Sequence, residues 1–394
     1  MAKPIASAAP SAAVPDAAPS PPSVALSAPG VSGRGAWVPR LERTWYGPPN
    51  PFSAALLPLS WLYCGIAQLR RLAYRRGWLA VIRLPVPVIV VGNISVGGTG
   101  KTPLVLWLAR WLRGRGHSPG ILTRGYGGLA RDWPRRVTAD SDPAEVGDEA
   151  VLLARRAGCP VVAGPDRIAD GLLLAQGLGC DVLVSDDGLQ HYRLGRDLEI
   201  AVLDARRGLG NGRCLPAGPL REPPGRLGQS DMVIATGGHV QIGRGIAAGL
   251  EADSATSPVA YALDLIPGDA VNLADPGQTR PLPVFCAEEL TAVAGIGNPG
   301  RFFVLLRSVG LVPRELAYPD HHPYTAADAA TWGQGQVLMT EKDAVKCVGF
   351  ARPNHWYLPV EARPEPAFVT SLEQRLEGLF RGQEAAGHPG LPPV

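Results

Sequence analysis

The stretch VIVVGNISVGGTGKTP, residues 88–103, constrains this chain more than any other. An apolar, β-prone run from Val88 to Val91 gives way to a loop carrying Gly97, Gly98 and Gly100, then to Lys101, Thr102 and Pro103. Strand, glycine-rich loop, Lys-Thr and helix start follow one another in a phosphate-binding P-loop. Glycines let the main chain wrap an anion where a Cβ would intrude. The first N–H groups of the following helix have no helical partner and can bond phosphate oxygens. Lys101 is expected to reach the β- and γ-phosphates, and the Thr102 hydroxyl to ligate Mg²⁺. Pro103 suits a first helical turn, where its missing N–H costs nothing. The expected nucleotide site therefore spans Ser95, Val96, Gly97, Gly98, Thr99, Gly100, Lys101 and Thr102. One departure stands out, because the consensus G-x-x-x-x-G-K-[ST] asks for glycine where this chain has Ser95. The plainer alternative is a glycine-rich turn between a strand and a helix.

From Val86 to about Gly237, strand and helix signals alternate. The strands read 88–92, 120–123, 160–163, 181–186, 199–204 and 232–235, with helices at 103–113, about 146–157 and 166–177. Continuous apolar runs of this kind belong to a sheet covered on both faces. The pattern predicts an α/β fold, a P-loop NTPase-like doubly wound parallel sheet over 84–237. Ligands gather at the carboxyl ends of such strands, where the P-loop falls. The connection 205–231 is long and rich in Gly, Pro and Arg, the kind of loop that is usually functional. Residues 238–290 carry weaker strand signals around 259–265 and 281–286 and read as a linker. A second, smaller α/β unit is expected over 291–381, with strands at 291–296, 336–340 and 355–360 and helices starting at Pro299, Ala326 and Glu341.

The ends are different. Residues 1–35 are Ala, Pro and Ser with little else and are expected to be disordered, as is the tail 382–394. A lone Lys3 and no continuous apolar core make the start unconvincing as a signal peptide. Within 36–83, the run 51–69 carries no charge and is followed by Arg70, Arg71, Arg75 and Arg76. Pro58, Ser53, Ser60 and Gln68 weaken a bilayer-spanning reading, while Trp61 and Tyr63 suit a headgroup interface. An amphipathic helix lying in the cytoplasmic membrane surface fits better, with a buried core helix as the alternative. A net charge of +3 is too small to argue for nucleic acid. None of the 6 cysteines forms a C-x-x-C pair, so neither a zinc site nor a disulfide framework is indicated, and a reducing setting fits.

Further chemistry-bearing segments punctuate the strands. VLVSDDGLQH (182–191) ends in Asp186 and Asp187, where a carboxylate beside a P-loop can hold Mg²⁺, although Asp before Gly is also ordinary turn chemistry. VGDE (146–149) sets Asp148 and Glu149 at a helix start, where acidic residues also serve as caps. TRGYGG (123–128) offers Arg124, which reads by itself as a solvated loop arginine. DHHPYT (320–325) offers His321 and His322 without metal-ligand spacing. In TEKDAVK (340–346), Lys342 and Asp343 are adjacent, so the guanine-reading [NT]-K-x-D spacing fails.

Taken together, LLPLSWLY, GNISVGGTGKTP, TRGYGG, VGDE, AGPDR, SDDGLQH, LDARRGLGNGRCLPAGPLREP, DHHPYT and TEKDAVK resemble the tetraacyldisaccharide 4′-kinase (lipid A 4′-kinase) family, in the family's order, from about Pro51 to Phe380. GNISVGGTGKTP is how that family writes its P-loop, so Ser95 becomes part of a signature. The resemblance implies transfer of the ATP γ-phosphoryl group to the 4′-hydroxyl of a tetraacylated glucosamine disaccharide 1-phosphate, forming lipid IVA. It implies a monotopic enzyme on the cytoplasmic face of the inner membrane, with ATP and Mg²⁺, a lipid disaccharide and the membrane surface as partners, and no obligate protein partner. It implies two α/β/α domains joined by a two-stranded linker. By carry-over, Asp148 and His321 match a catalytic pair, acting with Lys101. Glu149, Asp186 and Asp187, with Thr102, match metal or active-site positions. Gln190 and His191 match further active-site positions, and Arg124, Tyr126, Arg167, Arg221 and Glu222 match positions near nucleotide or substrate.

Two other readings stay open on the residues alone. One is a soluble P-loop kinase acting on another small hydroxyl substrate, with 51–69 as a core helix. The other is a nucleotide switch or motor, which the failed K-x-D spacing disfavours.

Overall fold

The computed structural model describes residues 26–27, 37–48, 50–237 and 260–385. The expectations for the rest of 1–36, for 238–259 and for the end beyond 385 lie outside the described residues. Near the start, β1 (Leu26–Ser27) runs parallel to the strand Arg314–Ala317. Three helices follow: α1 (Trp37–Tyr46), α2 (Pro51–Ala55) and α3 (Leu57–Arg75). Asn50 caps α2, its side-chain oxygen accepting from Ser53 N at 2.8 Å.

The larger sheet starts with β2 (Val88–Gly92), all five residues buried. Its P-loop leads into α4 (Lys101–Arg113). Then come β3 (Pro119–Thr123), β4 (Arg135–Val137), α5 (Pro143–Val146), α6 (Asp148–Ala157), β5 (Val161–Ala163) and α7 (Arg167–Leu172). After these, β6 (Val182–Asp186), β7 (Leu198–Asp204), β8 (Met232–Thr236) and β9 (Ala260–Pro267) complete this run. The strand order is β9-β8-β7-β2-β6-β3-β5-β4, parallel from β9 to β5. The P-loop strand β2 is thus flanked by β6 and β7, and the chain builds outward on both sides of it. Apolar side chains cover both faces of this sheet, which is why the strands read as unbroken hydrophobic runs. The edge strand β4 was not anticipated. Three residues with two arginines, antiparallel to β5, carry no periodic signal.

The smaller sheet contains β10 (Ala270–Asn272), β11 (Thr279–Arg280), β12 (Leu290–Ala294), β13 (Arg314–Ala317), β14 (Gln336–Thr340) and β15 (His355–Leu358). Its order is β1-β13-β12-β14-β15-β10-β11. The helices α8 (Pro299–Ser308), α9 (Ala326–Ala330) and α10 (Glu341–Cys347) connect these strands.

Three local expectations are corrected. Residues 281–286 form no strand; Leu282–Ala287 is a 3₁₀ turn that buries Leu282 and Phe285, three residues apart as that helix requires. The run 355–360 is not one strand. Pro359 has no N–H to offer a ladder, so the chain leaves the smaller sheet after β15 and re-enters the larger as β16 (Val360–Pro364), antiparallel to β9. The C-terminal helix α11 (Pro366–Ala385) then seats Phe368, Leu372 and Leu376, spaced by four, in the core of the larger sheet and continues past residue 382. From β9 onward the chain therefore crosses between sheets twice, at Gly268 and at Pro359, and Gly268 N donates to Pro359 O at 2.9 Å where the crossings touch.

Candidate active site

A cleft of about 1250 Å³ opens between the carboxyl ends of the two sheets. The P-loop from Val96 to Thr102 lines it, and Gly100 adopts φ 85, which favours glycine. Ser95 is buried behind the loop and pairs with Leu220, so the position where the consensus has glycine serves the loop's support. Val96 N donates to Pro219 O at 2.9 Å, tying the P-loop to the 205–231 connection.

Opposite the P-loop stands α6. Gly147, at φ 90, packs so tightly on the TRGYGG loop that a Cβ there would lie 2.6 Å from Tyr126 O. That contact sets the first turn of α6, and with it Asp148 and Glu149. Asp148 is 4% exposed, and its two carboxylate oxygens lie 3.1 and 3.0 Å from His321 Nδ1. Lys346 Nζ is 3.6 Å from Asp148. His321 follows β13 in the smaller sheet and takes φ 59, a left-handed conformation uncommon outside glycine. Lys342 Nζ sits 3.4 Å from His321 Nε2, 2.9 Å from Glu149 and 3.3 Å from Asp320. An ammonium can only donate, so Nε2 accepts and the Nδ1–H of the imidazole points at Asp148. Burial by itself would raise the Asp148 carboxyl; the His321 hydrogen bond and the Lys342 and Lys346 charges outweigh it and hold it below the usual range. Burial would lower His321, and the Asp148 carboxylate reverses that. The two shifts describe one polarised pair.

At the end of β6 the two aspartates part company. Asp186 is buried, and its Oδ1 has no hydrogen-bond partner among the described residues. Burial, then the Glu149 charge, pushes its carboxyl up to about 7. Asp187, expected among the metal ligands, is paired with Lys101 at 3.3 Å and Arg221 at 3.0 Å. Those two cations overcome its burial and hold it well below the carboxylate range. Among the described residues no group of three or more His, Cys, Asp or Glu forms a ready metal cage. Thr102, Glu149 and the orphaned Asp186 oxygen nevertheless suit a hard cation that takes its remaining ligands from phosphate and water.

The remaining expected contacts divide. Arg124, Tyr126, Gln190 and Arg221 line the cleft, and the Tyr126 ring lies 4.9 Å from that of His321. Arg167, His191 and Glu222 do not line it. Arg167 is buried beneath the strand ends, donating to Asp186 O at 3.1 Å, and so supports the acidic pair from behind. His191 is pushed down to about 4 by burial and the nearby Arg167 and Arg124. Glu222 accepts from Gln190 at 2.8 Å and from Tyr192. Lys342, Lys346, Asp320 and Arg301 were given no role by sequence reasoning. Their signal was weak because each belongs to a smaller-sheet segment whose approach to α6 or the P-loop is purely tertiary.

The 205–231 connection holds the N-terminal helices. Ser60 Oγ donates to Cys214 O at 2.6 Å, Trp45 Nε1 to Pro216 O at 2.9 Å, and Arg213 Nη1 to Ser53 Oγ at 2.8 Å. On α3 only Ser60 is buried, whereas Leu59, Trp61, Leu62, Ile66 and Leu69 are exposed, Trp61 by 68%. This excludes the core-helix alternative for 51–69. No helix of the described residues is long and apolar enough to cross a membrane.

A family model described as tetraacyldisaccharide-1-P 4′-kinase matches residues 52–377. The tetraacyldisaccharide 4′-kinase of Alkalilimnicola ehrlichii is 53% identical over 336 residues, covering 84% of this chain and 95% of the relative. That of Pseudomonas aeruginosa is 46% identical over 344 residues, covering 86% and 98%. Among solved structures, the "apo" form of LpxK from Aquifex aeolicus in complex with ATP superposes with a TM-score of 0.67 at 30% identity, covering 84% of this chain and 99% of that one.

Proposed function

Because the chain belongs to the tetraacyldisaccharide 4′-kinase family, we propose that it transfers the γ-phosphoryl group of ATP to the 4′-hydroxyl of a tetraacylated glucosamine disaccharide 1-phosphate, a step of lipid A biosynthesis. The observation that carries the reading to particular atoms is the Asp148–His321 pair facing a P-loop across one cleft.

The P-loop amides and Lys101 bind the triphosphate. Lys101 would exchange Asp187 for phosphate oxygens, and Arg221 would keep Asp187 compensated as it does so. Asp148, ionised at neutral pH, accepts the 4′-hydroxyl proton as that oxygen bonds to the γ-phosphorus and the bond to the β-phosphate oxygen breaks. His321 keeps the carboxylate aimed through its Nδ1–H, and Lys342 fixes that tautomer from the other side. Thr102, Asp186 and Glu149 would hold Mg²⁺, which when bound neutralises charge on the phosphate oxygens. Asp148 comes with the larger sheet and His321 with the smaller, so the carboxylate is aimed only while the two sheets are held against each other.

The exposed apolar stripe of α3, followed by Arg70, Arg75 and Arg76, supports a monotopic seat at the cytoplasmic face of the inner membrane. Tyr63 and Arg70 of this helix line the same cleft, which would bring a lipid acceptor from the bilayer to the P-loop. The test is ADP production with and without the acylated disaccharide in mixed micelles. Acceptor-dependent ADP supports the kinase. ADP formed at the same rate without acceptor points to a nucleotide hydrolase and contradicts it.

A further inference from the structure

Three guanidinium groups, Arg206, Arg207 and Arg301, line the cleft beside the P-loop and share few counter-charges. Asp204, at the end of β7, lies among them. Its Oδ1 accepts from the main-chain N–H groups of Arg206 at 2.9 Å and Arg207 at 3.2 Å. Its Oδ2 is 3.6 Å from Arg301 Nη1, too far for a hydrogen bond. Arg207 also meets Glu42 at 3.2 Å. The Arg206 side chain has no partner among the described residues. Burial, with Arg206 and Arg207 alongside, disfavours the charge on Arg301. Three guanidinium groups beside only two carboxylates, Asp204 and Glu42, leave positive charge in excess, an arrangement suited to an anion.

Two glycines show how closely Arg207 and the smaller sheet approach the P-loop. A Cβ on Gly97 of the P-loop would lie 3.4 Å from Arg207 Nη1. A Cβ on Gly297, in the loop that leads to α8, would lie 3.1 Å from Gly98 N and 3.4 Å from Gly97 Cα. The loop of the smaller sheet therefore rests on the P-loop itself, and Arg301 stands in the first turn of the helix that follows.

We propose that Arg301 is a phosphate-binding residue supplied by the smaller sheet, which with Arg206 and Arg207 grips the terminal phosphate of the nucleotide on the P-loop. The proposal rests on the kinase reading above. A planar guanidinium suits two oxygens of one phosphate, and Lys would match that geometry only in part. Through Arg301 the smaller sheet would respond to ATP but not to ADP.

The test is calorimetric titration of the full-length protein with Mg-ATP and with Mg-ADP, without acceptor, for wild type, R301A and R301K. A lost hydrogen bond to a charged group corresponds to a roughly tenfold or greater drop in affinity. R301A is expected to lose about that factor for ATP and less than about twofold for ADP, and R301K to recover part of it. Equal losses for both nucleotides, or none for either, would overturn the assignment. So would unchanged nucleotide binding beside a raised KM for the disaccharide in a parallel steady-state assay, which would give the guanidinium to the acceptor's phosphate. Thermal melting of each variant guards against misfolding, and R301Q replaces R301A if the latter melts early. Failure of the kinase reading would appear separately, as wild-type protein that binds ATP without phosphorylating the acceptor.

Discussion

Asp148 and His321 are 173 residues apart in sequence and 3.0 Å apart in space. One opens α6 beside the larger sheet, and the other follows β13 in the smaller. Their contact joins the two sheets at the point where the cleft meets the P-loop, and it polarises both groups at once.

D148N keeps the shape of the side chain and removes the proton acceptor. Its kcat is expected to fall by roughly 10²–10⁴-fold. H321A leaves the carboxylate in place without its orienting donor, so its loss should be smaller, on the order of tenfold to a hundredfold. Both variants should bind ATP as wild type does. Steady-state rates beside equilibrium nucleotide binding check this, and a D148N rate within twofold of wild type would remove Asp148 from the reaction.

Gly297 tests the seam between its loop and the P-loop. Adding a methyl there brings it 3.1 Å from Gly98 N and 3.2 Å from Asp320. Gly297→Ala is expected to raise the KM for ATP a few-fold and Gly297→Val more, with little change in melting temperature. An unaltered KM in the valine variant would mean that the loop does not bear on the phosphate site in solution.

The α3 stripe should matter at a lipid surface and nowhere else. Trp61 and Ile66 are 68% and 60% exposed, so W61E/I66E should leave the melting temperature within about two degrees of wild type. Flotation with anionic phospholipid vesicles should nonetheless lose the double variant to the soluble fraction. Equal flotation of both proteins would contradict an interfacial role for this helix.

Most of the larger sheet could be read from sequence because it is buried on both faces, and its strands are short apolar runs that end at turn residues. The P-loop was legible for the same reason, being a local pattern of strand, glycines and helix start. The partners of Asp148 were not. VGDE reads equally well as a helix cap, and DHHPYT carries no ligand spacing, so only resemblance to a family joined them. Lys342, Lys346 and Arg301 lay further from view, because their roles depend on how the smaller sheet sits against α6 and the P-loop. The switch of sheet at Pro359 was missed because one apolar run continues across it, while the missing N–H that ends the first ladder leaves no mark on hydrophobic periodicity. Arg167 shows the converse: the family resemblance set it near nucleotide or substrate, and the fold buries it where it donates to Asp186 O.

Two histidines give the fold a dependence on acid. Burial holds His191 and His355 at about 4, with Arg167 and Arg352 respectively as the next cause. Both are neutral in the fold, whereas an unfolded histidine protonates near pH 6.5. Their contribution is complete above about 6.5 and is lost as pH falls toward about 4, by up to roughly 1.4 kcal/mol per pH unit for each proton. Asp186 and Asp170, both raised by burial to about 7, oppose this over the same window, so the test is a difference between two proteins. Relative to H355N, which keeps an acceptor for the Arg352 N–H now bonded to His355 Nδ1 at 3.3 Å, the wild-type urea midpoint should fall as pH goes from about 6.5 to about 4. A difference between the two proteins that is independent of pH would contradict the assignment.

The central claim is that the carboxylate of Asp148, set against the P-loop, activates a sugar hydroxyl for phosphoryl transfer. It is tested most directly by incubating wild type and D148N with γ-labelled ATP and a tetraacylated glucosamine disaccharide 1-phosphate at saturating nucleotide. The account predicts label on the 4′-oxygen of the disaccharide with wild type, and at least about a hundredfold slower labelling with D148N that still binds ATP. Label appearing only as inorganic phosphate with wild type, or equal labelling by both proteins, would contradict it.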